Sequence, residues 1–161
     1  MQVKKRPYRL TSPAPSEKFM VMQQEQGSIK MEDVGKLILR VTTAGLILFH
    51  GTSKLLHGIG FIENGIAGHH LPRFIAYGVF IGEVFAPMFL LVGLWTRIAA
   101  LIVAFNMIVA VLLTAYHNAF VIQRSGAWGL EAEAFFFLTA ICIFFIGGGK
   151  LSATRGRGAL N

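Results

Sequence analysis

Long apolar runs separated by polar segments dominate this chain. Four such runs cover residues 34–50, 74–95, 98–116 and 130–146. A helix needs about 20 residues to cross the hydrocarbon core of a bilayer, and these runs are close to that length. The pattern therefore predicts an all-α integral membrane protein in which four spanning helices form a bundle.

The polar segments divide the chain further. Residues 1–33 lack the apolar stretch of a secretory signal and are predicted to be a disordered cytoplasmic tail. A very short turn at 96–97 makes the second and third runs an antiparallel hairpin. The loop at 51–73 has room for a short surface helix. The membrane domain covers residues 34–152, and residues 153–161 form a basic cytoplasmic tail.

Positive charges indicate the orientation. Six Lys and Arg residues precede the first run, and three more follow the fourth run. The opposite side of the membrane would carry only Lys54, Arg73 and Arg124. Because cytoplasmic loops are enriched in Lys and Arg, both termini are predicted to be cytoplasmic.

Composition narrows the class of protein. Hydrophobic residues make up 54 % of the 161 residues and charged residues 14 %, which disfavours a soluble helical domain. The net charge of +7 lies mostly in the tails, where it favours contact with anionic lipid headgroups over nucleic acid. The single cysteine, Cys142, excludes an intramolecular disulfide, so redox chemistry would need a cofactor, a metal or a partner protein.

Glu83 lies in the middle of the second run, where a carboxylate must pair, accept hydrogen bonds or stay protonated. Counting 1.5 Å per residue from the cytoplasmic ends places Glu83, Glu133 and His50 about 19, 21 and 24 Å from that face. By the same count, Arg40 and Asn106 lie about 9 and 12 Å from it. Titratable groups of three helices are thus predicted to share one layer, with Arg40 below it.

This layer has two interpretations. In the first, Glu83 and His50 handle protons for a quinone or for a proton-coupled carrier. In the second, the polar residues form an interhelical lock that only holds the bundle together. Gly78 and Gly82 let another helix approach closely, and Pro87 should bend the span and free the carbonyl of Glu83. No spacing typical of a closed metal site is present, so no metal is predicted.

An ordered set of short motifs between Lys36 and Ser152 resembles the DoxX family. The motifs are Phe49-His50-Gly51 with Lys54, Gly82-Glu83 with Ala86-Pro87, Gly93-Leu94-x-Thr96-Arg97-x-Ala99-Ala100, and Glu131 before Gly147-Gly148-Gly149-Lys150-Leu151-Ser152.

The resemblance implies a four-span protein of the bacterial inner membrane that is associated with oxidoreductase systems. Members of the family are linked to a thiosulfate:quinone oxidoreductase, to catechol or quinone detoxification and to a membrane-bound thiol and oxidative-stress complex. The resemblance implies five candidate functional residues, which are His50, Lys54, Glu83, Arg97 and Glu131.

The favoured functional hypothesis is a redox-associated membrane subunit that binds a quinone or another small apolar substrate between its helices. Glu83 and His50 would be the catalytic residues, and a soluble oxidoreductase would be the partner. Apart from the quinone, no cofactor is predicted. The substrate-binding candidates are Arg40, Lys54, Asn106, Glu131 and Glu133.

Two alternative functions remain open. A homo-oligomeric proton-coupled carrier or channel would use the same acid near the midplane, and four spans per chain would require several copies. A structural anchor would instead recruit a soluble enzyme through the basic tails. A homo-oligomer in the lipid bilayer is expected under the favoured hypothesis as well.

Overall fold

The computed structural model describes residues 29–68, 70–158 and 160–161. The predicted N-terminal tail lies outside the described residues as far as position 28. Residues Met31–Asn161 form one compact unit. Within its described part the regular structure is helical, apart from an isolated bridge between Ile122 and Trp128. The predicted all-α class is confirmed.

Five helical segments account for most of this unit. They are α1 (Met31–His57), α2 (Gly60–Gly68), α3 (Arg73–Val92), α4 (Thr96–Ala110, continued by a π-helical turn at Val111–Ala115) and α5 (Glu131–Ile146).

Three of these segments are long and apolar enough to cross a membrane. They are Met31–His57, Arg73–Val92 and Thr96–Leu113, with 27, 20 and 18 residues. Each corresponds to one of the first three apolar runs, so the protein is a membrane protein with transmembrane helices. The fourth run forms α5, which has 16 residues and would rise about 24 Å along its axis.

The long helices pack through small residues. α3 and α5 both contact α1 and α4. The buried alanines at these contacts let the helix backbones approach closely, as is common where helices pack within a membrane. They are Ala44, Ala86, Ala99, Ala100, Ala104 and Ala140.

The bounds of α1 and the position of the turn between α3 and α4 differ from the sequence prediction. α1 begins three residues before the first run and continues seven residues past it, so Lys54 belongs to its last turns. The turn between α3 and α4 lies at 93–95, and Thr96 already begins α4. The earlier turn follows from Gly93, which ends α3 in the left-handed conformation with φ of 76°.

The segment after α5 crosses one end of the unit and satisfies free backbone groups there. The first N–H groups of α4 have no partner within their own helix. The N–H of Thr96 instead donates to Oδ1 of Asn161 at 3.2 Å, and the N–H of Arg97 donates to the carbonyl of Leu160 at 3.1 Å. Residues 153–161, predicted as a tail, thus contact the start of α4.

Arg40 links α1 to this terminal segment. Its side chain is 2 % exposed, and its two Nη atoms donate to the carbonyl oxygens of Gly148 at 2.6 Å and Leu151 at 2.9 Å. A Cβ at Gly93 would lie 2.6 Å from Nη1 of Arg40, so glycine is required beside the guanidinium. The planar fork of the guanidinium suits two neighbouring carbonyls.

Replacing Arg40 by Met should lower the free energy of unfolding by about 2–4 kcal/mol, because two buried carbonyls lose charged donors. Arg40→Lys should restore only part of this loss, since an ammonium lacks the fork. Thermal and denaturant unfolding of the purified protein in detergent measures both changes. Arg73→Met, at an exposed position, is the control. Equal stability of Arg40→Met and Arg73→Met would contradict the assigned role.

Candidate binding site

The site begins where α1 and α3 touch through their backbones. A Cβ at Gly51 would overlap the carbonyl group of Glu83, so only glycine permits this contact. On the other side of α3, a Cβ at Gly82 would overlap the side chain of Asn106. Consecutive residues of α3 are therefore held against α1 and against α4. This fixes the position of Glu83 between the two helices.

A π-helical turn shapes α3 at the same point. Pro87 has no N–H to donate to the carbonyl of Glu83, four residues earlier. Residues Ile81–Phe85 adopt π-helical geometry, and the N–H of Ala86 donates to the carbonyl of Ile81, five residues back. The sequence predicted that Pro87 would free this carbonyl. The structure shows that Gly51 packs directly against it. π-helical turns within α-helices are frequent at functional sites.

An ion pair joins the side chains of the two helices. Nζ of Lys54 contacts Oε1 of Glu83. The side chain of Glu83 is 5 % exposed, whereas that of Lys54 is 20 % exposed. Oε2 of Glu83 is buried and has no hydrogen-bond partner among the described residues. The carboxylate is thus neutralised by Lys54 and still has one oxygen available as an acceptor.

A cavity of about 390 Å³ lies beside this ion pair. Its polar side chains are those of Lys54, Glu83 and Asn106, and its other walls are apolar. The walls come from α2, α3 and α4, and they include Ile62, Ile66, Ala76, Val79, Ile102, Phe105, Val109 and Leu113. A cavity with this volume and few polar groups is typical of sites for small molecules.

Asn106 contributes a second unpaired polar atom to the cavity. The residue is 9 % exposed, and its Nδ2 has no hydrogen-bond partner in the described part of the chain. Leaving a buried polar group unpaired costs about 1–3 kcal/mol. Asn106 and Glu83 together present a donor and an acceptor whose pairing would offset that cost.

The structure brings together three of the predicted site residues and separates the others. Glu83, Lys54 and Asn106 line the cavity, whereas its described lining does not include the remaining candidates. His50 is exposed and packs edge-on against Phe136 of α5, with 6.0 Å between the ring centroids.

The remaining candidates have separate surroundings. Arg40 binds the carbonyls after α5. Glu131 and Glu133 lie in the first turn of α5, where Glu131 is exposed and Glu133 is half-buried. Arg97 is half-buried, and its backbone N–H donates to Leu160. Within the described residues, no cluster of three or more His, Cys, Asp or Glu side chains could hold a metal ion.

The register of α1 against α3 differs from the depth count by about one helical turn. The count placed Glu83 level with a residue near position 47, whereas Gly51 is the residue that packs against it. His50 directly precedes Gly51 and so lies near the level of Glu83, but its ring packs against Phe136 of α5. Lys54, about one turn further along α1, reaches the carboxylate.

The sequence prediction did not identify the residues of α2 that form one wall of the cavity. The sequence predicted a short surface helix in the loop at 51–73, and α2 lies there. Its buried residues Ile62 and Ile66 pack with Ala76 of α3. Their spacing of four residues on one helix face was the signal that could have identified this wall.

Comparison with known protein families identifies the family of this chain. The model of the DoxX family matches residues 35–117. The chain belongs to the DoxX family. The match begins one turn inside α1 and ends in the short helical turn after α4, so the ion pair, Asn106 and the cavity walls lie within it. In this DoxX protein, α5 and the motif at 147–152 lie outside the matched residues. Neither a curated protein nor a solved structure matches the chain.

The Lys54–Glu83 pair should behave as a coupled unit. Lys54→Met should destabilise the protein by about 3–5 kcal/mol, because it leaves a buried carboxylate without a counter-charge. The double variant Lys54→Met with Glu83→Gln should recover a large part of that loss, since no isolated charge remains. Unfolding of both single variants, Lys54→Met and Glu83→Gln, and of the double variant in detergent gives the coupling energy. Strictly additive effects would show that the pair does not stabilise the fold.

Proposed function

We propose that this protein is a redox-associated membrane subunit that binds a quinone-like or other small apolar molecule in the cavity beside Glu83. One observation supports this function: a mostly apolar cavity of about 390 Å³ is lined by three polar side chains, those of Lys54, Glu83 and Asn106. The cavity has the size and lining of a small-molecule site. Two of its walls, α3 and α4, are membrane-capable helices, so an apolar ligand would reach the cavity from the lipid.

Each polar side chain has a distinct role in the proposal. Asn106 and Lys54 donate hydrogen bonds to oxygen atoms of the ligand, and Glu83 accepts or returns a proton. His50 packs against α5, so proton transfer is assigned to Glu83 without it. A reduced ligand would pass its electrons to a soluble oxidoreductase partner, and an oxidised ligand would receive electrons from that partner.

The proposal includes a four-span topology in the bacterial inner membrane with both termini cytoplasmic. Support comes from the apolar sequence of α5 beyond its first turn and from its packing against α1 and α4. The distribution of Lys and Arg supports the orientation. In this arrangement the loop before α5 is periplasmic, and the segment after it, which binds Arg40, is cytoplasmic.

Cysteine labelling tests this topology. In a Cys142→Ala background, Ser125→Cys should react with a membrane-impermeant maleimide in spheroplasts. Arg157→Cys should react only after the cytoplasmic face is opened. Both positions are exposed, so reactivity reports the side of the membrane rather than burial. Labelling of both cysteines from the same side would contradict a fourth span.

Filling the cavity tests the binding function. Val109→Trp adds a large side chain to the cavity wall and should weaken saturable binding of 1,4-naphthoquinone at least about tenfold. The control is Ile108→Trp, because Ile108 is the neighbouring residue of α4 and is 44 % exposed. Binding to protein in nanodiscs is measured against empty nanodiscs. Equal affinity of the two variants would place the binding elsewhere.

A further inference from the structure

We propose that the ligand presents a hydroxyl group to Glu83 and Asn106, so that the reduced form of an aromatic redox pair is the form that this cavity retains. The inference rests on the proposed function, since it assumes that the cavity holds a small apolar molecule. To the proposed function it adds the oxidation state of the ligand that the cavity prefers. The observations that carry it are two unpaired polar atoms of opposite hydrogen-bonding character.

Glu83 defines the first requirement. In an ion pair, both oxygens of a carboxylate are acceptors only. Oε1 is occupied by Lys54, whereas Oε2 is buried and unpaired among the described residues. The side chain is more than nine-tenths buried and lines the cavity. A ligand that pairs with Oε2 must therefore bring a hydrogen-bond donor.

Asn106 defines the second requirement. Its Nδ2 is a donor without an acceptor in the described structure, and it is held beside α3 by the close contact with Gly82. Gly82 directly precedes Glu83 in the chain, and Gly82, Glu83 and Asn106 all line the cavity. A ligand that pairs with Nδ2 must bring an acceptor.

A hydroxyl group meets both requirements, because it donates one hydrogen bond and accepts others. A carbonyl oxygen accepts from Asn106 but leaves Oε2 of Glu83 unpaired. A site with buried polar groups discriminates strongly against an analogue that leaves them unpaired. The cavity should therefore prefer a phenol or hydroquinone over the corresponding ether or quinone.

A ligand series tests this preference on the unmodified protein. The probes are 2-naphthol, 2-methoxynaphthalene, naphthalene and 1,4-naphthoquinone, measured in nanodiscs and corrected for partitioning into empty nanodiscs. The first three share one ring system, and only 2-naphthol has an O–H donor. We expect 2-naphthol to bind at least about tenfold more tightly than each of the other three.

Two variants locate the origin of the preference. Glu83→Gln replaces the charged acceptor, and Asn106→Leu removes the donor, so each should bring the affinity ratio of 2-naphthol to 2-methoxynaphthalene closer to one. Asn106→Leu keeps the ion pair and thus provides a test if Glu83→Gln does not fold. Glu63→Gln is the matched control, because this half-buried carboxylate of α2 is absent from the described cavity lining.

The outcomes separate this inference from the proposed function. Saturable binding of all four probes with equal affinity would overturn the hydroxyl preference and leave the cavity as a binding site. A preference that persists unchanged in both variants would also overturn it. Absence of saturable binding for every probe would overturn the proposed function itself.

Discussion

Charged groups removed from water need partners within the protein, and this constraint determines where the long helices meet. The two Nη atoms of Arg40 on α1 donate to carbonyls that follow α5, and Lys54 on the same helix neutralises Glu83 on α3. An unpaired charge at either position would be costly in hydrocarbon. The two contacts lie 14 residues apart on α1, so they fix this helix against its neighbours at two separate levels.

Backbone contacts make these charge contacts possible. Glycine at 51, 82 and 93 removes the side chain wherever two helices, or a helix and the guanidinium of Arg40, approach most closely. The same approach leaves Glu83 and Asn106 buried at the edge of an apolar cavity, each with one polar atom unpaired. The close packing of α3 against α1 and α4 and the open space beside Glu83 are thus consequences of one arrangement.

Much of this arrangement could be predicted from the sequence, and the remainder depends on tertiary contacts. Apolar runs predicted the membrane-capable helices, and the isolated acid at Glu83 predicted a polar site. Residue counting could not predict that Lys54 pairs with Glu83, because the register between helices is set by side-chain packing and glycine contacts. The same limit applies to His50, whose ring packs against α5. The role of Arg40 could not be predicted from the sequence either, because its hydrogen-bond partners lie in the segment after α5 and only the fold brings that segment beside α1.

The π-helical turn at Ile81–Phe85 also bears on how such a site can arise or be lost. A π-helical turn contains one residue more than the α-helical path that it replaces. Deleting one residue there would restore regular α-helical geometry, and the parts of α3 on either side would keep the faces that they now present to neighbouring helices. Only the residues of the turn itself, Glu83 among them, would move to new positions around the helix axis. A one-residue deletion within Ile81–Phe85 would therefore alter the polar side of the cavity while leaving the hydrophobic span intact.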